Sequence, residues 1–170
     1  ISDFDHGNMR PWQGDTAKFI INNQKQLQLH DNAAGTSLIY QSIGTVKDTM
    51  LWTFYFKMDF APSQSNALKV LLAVDSVTQN PSGYTIEIGE NGNYDTWKLV
   101  FINNQKKTTL ASGKTALLAT QPAEGRMLVQ RIPGGIFTIA IESNHDIDSL
   151  SFQDTTQWSL VGVDHSGATL

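Results

Sequence analysis

The run Leu51-Trp52-Thr53-Phe54-Tyr55-Phe56-Lys57-Met58-Asp59-Phe60 decides the fold. Its even positions, Trp52, Phe54, Phe56, Met58 and Phe60, are all large and apolar, while the odd ones include Thr53, Lys57 and Asp59. Successive side chains of an extended strand point to opposite faces, so this alternation describes a long strand with one buried face. The same period recurs in Leu68–Asp75, with Leu68, Val70, Leu72 and Val74 on one side and Lys69 and Asp75 on the other. It continues in Tyr84–Ile88, where Tyr84, Ile86 and Ile88 oppose Thr85 and Glu87, and in Trp97–Ile102.

Further strands are expected at Lys18–Ile21, Gln26–Leu29, Ser37–Gln41, Met127–Ile132, Ile136–Glu142 and Trp158–Val163. Turn signals separate them: Asn22-Asn23, Asn80-Pro81-Ser82-Gly83, Gly89 to Gly92, Asn103-Asn104 and Pro133-Gly134-Gly135. About ten strands at this spacing, with no amphipathic helix among them, imply an all-β domain of two packed antiparallel sheets. A barrel is the open alternative. Lys114–Thr120 reads as a short helical turn, too brief to change the class. No internal repeat appears, so residues 1–170 read as one domain.

Composition agrees. Charged residues make up 16% of the 170, against roughly 25% in an average domain. Lys and Arg total 12 against 16 Asp and Glu, a net charge of −4. Nucleic acid and anionic membranes attract clustered positive charge, so no nucleic-acid partner is expected. The absence of cysteine removes disulfide scaffolds, thiolate zinc sites and cysteine nucleophiles. No apolar run is long enough for a transmembrane segment. The chain opens on Ile1 without an apolar leader, as expected of a mature or trimmed export product.

Most reaction chemistries find no apparatus here. There is no Gly-x-Ser-x-Gly elbow, and His6, His30, His145 and His165 never adopt the spacing of a metal pair. His145, Asp146 and Asp148 form a local cluster that reads as a solvated loop after a strand. Ser112-Gly113-Lys114-Thr115 mimics the end of a phosphate loop, but Thr108 stands where the leading glycine belongs. Glycoside hydrolysis needs two carboxyl groups roughly 5 to 9 Å apart. Glu87 has no same-face carboxylate two or four residues away, Glu90 falls in a loop, and Glu142 is parted from Asp146 and Asp148 by an irregular stretch.

Binding is better provided for. Aromatic rings stack on the C–H face of a pyranose while amides and carboxylates bond its hydroxyls. Trp52 reads as core, and Trp97 and Trp158 as core or surface. Trp12, in the polar stretch Arg10–Asp15, and Tyr94, in the Gly89–Asp95 loop, are candidate ligand contacts together with Asn93 and Asp95; Tyr40 closes a strand. The oxygen-rich run Glu90-Asn91-Gly92-Asn93-Tyr94-Asp95 also makes Asn91, Asn93 and Asp95 candidate ligands for Ca2+.

Trp12-Gln13-Gly14-Asp15-Thr16, then Phe19–Asn22 and Gln26–Leu29, resemble the opening of a concanavalin A-like lectin/glucanase module of secreted Bacteroidetes-type multidomain proteins. The resemblance runs through Ala34–Leu38, Trp52–Phe60, the Phe-x-Pro-Ser-x-Ser-Asn element at Phe60–Asn66, Val70–Asp75, Gly83–Gly89, Asp95 and Arg126–Arg131. It covers residues 3–142 and fades beyond Glu142, where no Phe-rich closing strand is evident before Leu170. What it implies is a jelly-roll β-sandwich in a secreted or cell-envelope (periplasmic or surface) protein with other domains in a longer chain. The Glu-x-Asp-x-x-Glu motif of glucanases on this fold is absent, which argues against an enzyme.

The reading that follows is a non-catalytic, extracytoplasmic recognition module for glycans, with no cofactor or with Ca2+. The alternatives are a structural or adhesive spacer of a multidomain surface protein, and a glycoside hydrolase with an atypical carboxylate pair.

Overall fold

A computed structural model describes residues 4, 7, 9–44, 49–77, 81–90, 92–144, 146–155 and 165–169. The expected strand at Trp158–Val163, with Trp158 itself, lies outside the described residues, as do His6, His145 and Asn91.

The described strands are β1 (Gln13–Gly14), β2 (Phe19–Ile21), β3 (Leu27–Leu29), β4 (Leu38–Ser42), β5 (Met50–Met58), β6 (Leu68–Val74) and β7 (Gly83–Ile88). They continue as β8 (Trp97–Asn103), β9 (Lys106–Ser112), β10 (Ala123–Ile132), β11 (Ile136–Ser143), β12 (Asp146–Gln153) and β13 (His165–Thr169). Helical structure among the described residues is one 3-10 turn, Thr16–Lys18. Two antiparallel sheets stack: a seven-stranded one ordered β1-β4-β13-β6-β7-β8-β9 and a four-stranded one ordered β12-β11-β10-β5. A small β2-β3 hairpin accompanies them.

The core lies between the sheets. Phe56 and Met58 of β5, Met127 and Val129 of β10, and Phe137, Ile139 and Ile141 of β11 meet Leu68, Leu72, Tyr84, Ile86, Ile88, Trp97, Leu99 and Phe101. Burying each large apolar side chain contributes about 1.5–3 kcal/mol, the main force holding the two layers together. Trp97 is fully buried, so its role is packing.

Three departures from simple alternation have local causes. The strand expected to reach Phe60 ends at Met58; the chain bends at Asp59, and Phe60 is 44% exposed. In β6 an irregularity between Leu71 and Ala73 shifts the register, so Leu72 and Ala73 both join the core and Val74 falls opposite Gly83 on the other face. Such a bulge places one extra residue on a strand and reverses the facing of all that follow. Thr85 faces away from the core yet is buried, as are Leu71 and Val100, which stand directly opposite it on the two neighbouring strands.

Beyond Glu142 the structure corrects the sequence reading. Asp146 and Asp148 open β12 instead of a solvated loop, and Leu150 and Phe152 of that strand pack on the core. β13 then inserts between β4 and β6, in the middle of the larger sheet. The expected helical turn at Lys114–Thr120 is a non-helical turn closed by Leu117 N–H donating to the Lys114 carbonyl.

Candidate functional site

One end of the sandwich gathers the loops β5–β6, β7–β8, β9–β10 and the tight β11–β12 turn. Their association begins with a glycine. Gly89 adopts φ +106, and a Cβ there would lie 2.6 Å from the Ser63 carbonyl oxygen and 2.9 Å from Ala67. The β7–β8 loop therefore leaves its strand pressed against the β5–β6 loop, an approach only glycine permits. Gln121 Nε2 donates to the Asp59 carbonyl at 3.0 Å, and Asn144 Nδ2 to Thr120 Oγ1, tying the other loops to the same cluster.

Beneath them, Asp148 is the organising group. Its Oδ2 accepts from the Trp97 indole N–H at 3.3 Å and from the Lys114 backbone N–H at 2.8 Å. Lys114 Nζ reaches Asp146 Oδ2 at 2.8 Å, which raises the Lys114 pKa and holds the Asp146 carboxyl below its ordinary value. The apparent phosphate-loop residues Gly113 and Lys114 thus serve packing and ion pairing: Gly113 lies against the Trp97 ring, and its N–H donates to the Trp97 carbonyl at 3.0 Å.

This scaffold presents Asn93, Tyr94 and Asp95. The Tyr94 carbonyl accepts from the Ala116 N–H at 2.6 Å, and the Asp95 carbonyl from the Leu118 N–H at 2.8 Å. Asp95 adopts φ +41, a left-handed conformation that aspartate tolerates better than most residues. With its backbone held on both carbonyls, the segment displays Tyr94 at 60% exposure beside exposed Asn93 and half-buried Asp95.

Trp12 lies elsewhere. It precedes β1 at the edge of the larger sheet, half-buried, with its ring stacked against Phe4 at 6.3 Å between centroids. β1 and β7 are separated by four strand spacings, roughly 19 Å at about 4.8 Å per strand. Trp12 and Tyr94 therefore stand on separate parts of the surface.

The carboxylates flanking the Asn93–Asp95 segment are engaged by lysines. Glu90 of the same loop is ion-paired to Lys98, and Asp146 to Lys114, so lysines already supply the positive charge at these carboxylates. Among the described residues no three His, Asp or Glu side chains converge on one point. Hard cations need several oxygen ligands at once.

The outer faces carry other polar groups. Glu87 is paired with Lys107 at 2.5 Å, and Tyr55 donates to Glu124 Oε2 at 2.5 Å, which pushes the Tyr55 phenol up to about 12. No sequence signal points to either pair, because the partners are 20 and 69 positions apart.

The architecture recurs in solved structures. It aligns with the Emp47p carbohydrate recognition domain at a TM-score of 0.68 and 14% identity, covering 99% of this chain and 84% of that one. The fold is a legume-lectin-like jelly roll. It also aligns with the carbohydrate binding module CBM66 from Bacillus subtilis, at a TM-score of 0.54 and 16% identity over 96% of this chain and 89% of that one. The VIP36 exoplasmic/lumenal domain, solved bound to Ca2+ and Man3GlcNAc, aligns at 0.62 and 12% identity over 93% of this chain and 74% of its own. No protein-family model and no curated protein sequence matches the chain. At these identities the jelly roll is shared as architecture, and activity has to be argued from the residues themselves. No helix among the described residues is long and apolar enough to cross a membrane.

Proposed function

We propose that the protein is a non-catalytic glycan-recognition module acting outside the cytoplasm, secreted or on the cell envelope, with its contact site at Asn93, Tyr94 and Asp95. The observation that carries this reading is a largely exposed tyrosine on a loop whose backbone is already fixed by hydrogen bonds from Ala116 and Leu118. An aromatic ring held ready loses little freedom on stacking against a sugar, and the flanking amide and carboxylate suit its hydroxyls. The jelly-roll neighbours solved as carbohydrate recognition and carbohydrate binding modules support the same ligand class.

Asp146 is unsuited to be the general acid of a hydrolase. A general acid needs a carboxyl whose pKa is raised, and Asp146 is lowered by Lys114.

The test is titration of the folded chain against a broad glycan array, followed by Tyr94→Ala on any positive sugar. Binding that falls roughly ten-fold, matching the loss of one stacking contact of about 1–1.5 kcal/mol, with an unchanged melting temperature, supports the assignment. Silence across the array sinks it, and binding indifferent to Tyr94 moves the site elsewhere.

A further inference from the structure

The alternation of its strand places Phe60 with the core-facing residues, yet it stands in the β5–β6 loop, 44% exposed and outside the packed core. A single exposed apolar side chain is ordinary. This one is held in position. The carbonyl of Asp59, before it, accepts from Gln121 Nε2 at 3.0 Å, and Pro62, two residues after it, is buried. The loop then closes on itself: Ser63 N–H donates to the Asn66 carbonyl at 3.0 Å, and Asn66 N–H donates back to the Ser63 carbonyl at 3.1 Å. The Phe-x-Pro-Ser-x-Ser-Asn element is thus a braced mount whose outward group is an aromatic ring.

Tyr94 is mounted in the same way, and the two mounts share their supports. Gly89, at the root of the Tyr94 loop, is pressed against the Ser63 carbonyl and Ala67 of the Phe60 loop. One segment of the β9–β10 loop braces both from the other side: Leu118 N–H holds the Asp95 carbonyl at 2.8 Å, and Gln121 holds that of Asp59. Leu118 and Gln121 are three residues apart in the sequence, at most about 11 Å of extended chain. The anchor points of the two loops therefore lie within the span of a few linked sugar units. The exposed residues of the bridging segment, Ala116, Ala119, Thr120 and Gln121, carry no charge.

Resting on the glycan reading of Tyr94, we propose that Phe60 is a second stacking platform, and that the ligand is a neutral glycan chain of several units laid across the bridging segment. A monosaccharide on Tyr94 leaves the Phe60 ring in water, whereas a chain that covers both rings buries a second apolar face. Once one ring is engaged the other contact is intramolecular, so affinity rises with chain length until the span is filled and then levels off. A polyanionic chain finds no lysine or arginine on the bridging segment to pair with, which selects a neutral one.

The test is calorimetric titration with linear neutral gluco- and manno-oligosaccharides, from the monosaccharide to the hexasaccharide. The unmodified chain should bind longer members more tightly, up to a plateau. Phe60→Ala should weaken binding of the longest member roughly ten-fold, the worth of one stacking contact, and leave the shortest bound member unaffected at an unchanged melting temperature. Phe60→Leu, which keeps apolar bulk for folding but has no ring, should also lose the gain with length, and Phe60→Trp should retain it. Affinity independent of length overturns the proposal and leaves the Tyr94 reading standing. So does a loss in Phe60→Ala and Phe60→Leu that is equal for the shortest and longest members. Failure of the folded chain to bind any member overturns both.

Discussion

The Tyr84 hydroxyl donates to Asp154 Oδ2 at 2.5 Å, joining the middle of the larger sheet to the residue that follows β12 in the smaller one. Both residues are buried, 70 positions apart in sequence. The Arg131 guanidinium lies beside them, 6.0 Å from the Tyr84 ring centroid and 5.9 Å from that of Phe137. A polar assembly thus closes the end of the sandwich opposite the loop cluster. Hydrogen bonds to charged groups contribute about 1.5–3 kcal/mol, and a buried carboxylate deprived of a donor loses that and its shielding. Tyr84→Phe should therefore lower stability by about 2 kcal/mol in urea denaturation.

Gly113 sets the packing of the loop end. A Cβ at this position would stand 2.2 Å from Trp97 Nε1 and 2.7 Å from Thr96 Oγ1, and Trp97 is fully buried with its N–H committed to Asp148. Gly113→Ala must displace the indole, an overpacking change of about 1–3 kcal/mol. The expected signature is a lowered melting temperature together with altered tryptophan fluorescence; a variant that melts like the parent would show that the ring moves freely.

The Lys114–Asp146 pair gives the loop cluster a pH window. Asp146 titrates below its ordinary 3.8, so its contribution is complete above that value and is lost as pH falls through the lowered folded pKa. Lys114 titrates above its ordinary 10.5, so its contribution is complete below 10.5 and is lost as pH rises through the raised value. Stability should be indifferent to this pair between those limits and depend on it outside them. Asp146→Asn should flatten the acid limb of a melting-temperature profile slightly, since an exposed pair is weakly coupled; an acid limb steeper than the parent's contradicts this.

Tyr55 offers a spectroscopic check on the outer face of the smaller sheet. Its phenol, donating to Glu124, titrates at about 12 instead of the ordinary 10.0. Following tyrosinate absorbance in alkali, a component titrating at about 12 is expected from Tyr55, and Glu124→Gln should move it back toward the ordinary value. Tyr94→Phe should leave the lagging component in place.

Much of the fold is legible in the order of residues, and the reason is visible in β5 and β7. A strand with one face in the core repeats its apolar residues every second position, so Trp52 through Met58 and Tyr84, Ile86 and Ile88 declare themselves locally. β9, β12 and β13 do not. Lys-Lys-Thr-Thr-Leu-Ala-Ser at β9 is exposed over its first four residues and is held as a strand by its ladder to β8. His165–Thr169 is held between β4 and β6, and its short run contains no alternation to read.

The site divides the same way. The exposed, oxygen-rich character of Asn93-Tyr94-Asp95 belongs to local composition, and a turn of that make-up can be recognised wherever it occurs. That Ala116 and Leu118 clamp it, that Asp148 reaches Trp97 from 51 positions away, and that Trp12 stands across the sheet are long-range facts. Sequence determined the all-β sandwich, because side-chain alternation is a property of neighbours along the chain. Only the tertiary structure decided which loops share an end and which carboxylates acquire a lysine, because contacts between distant residues depend on strand order and register, and neither has a local signature.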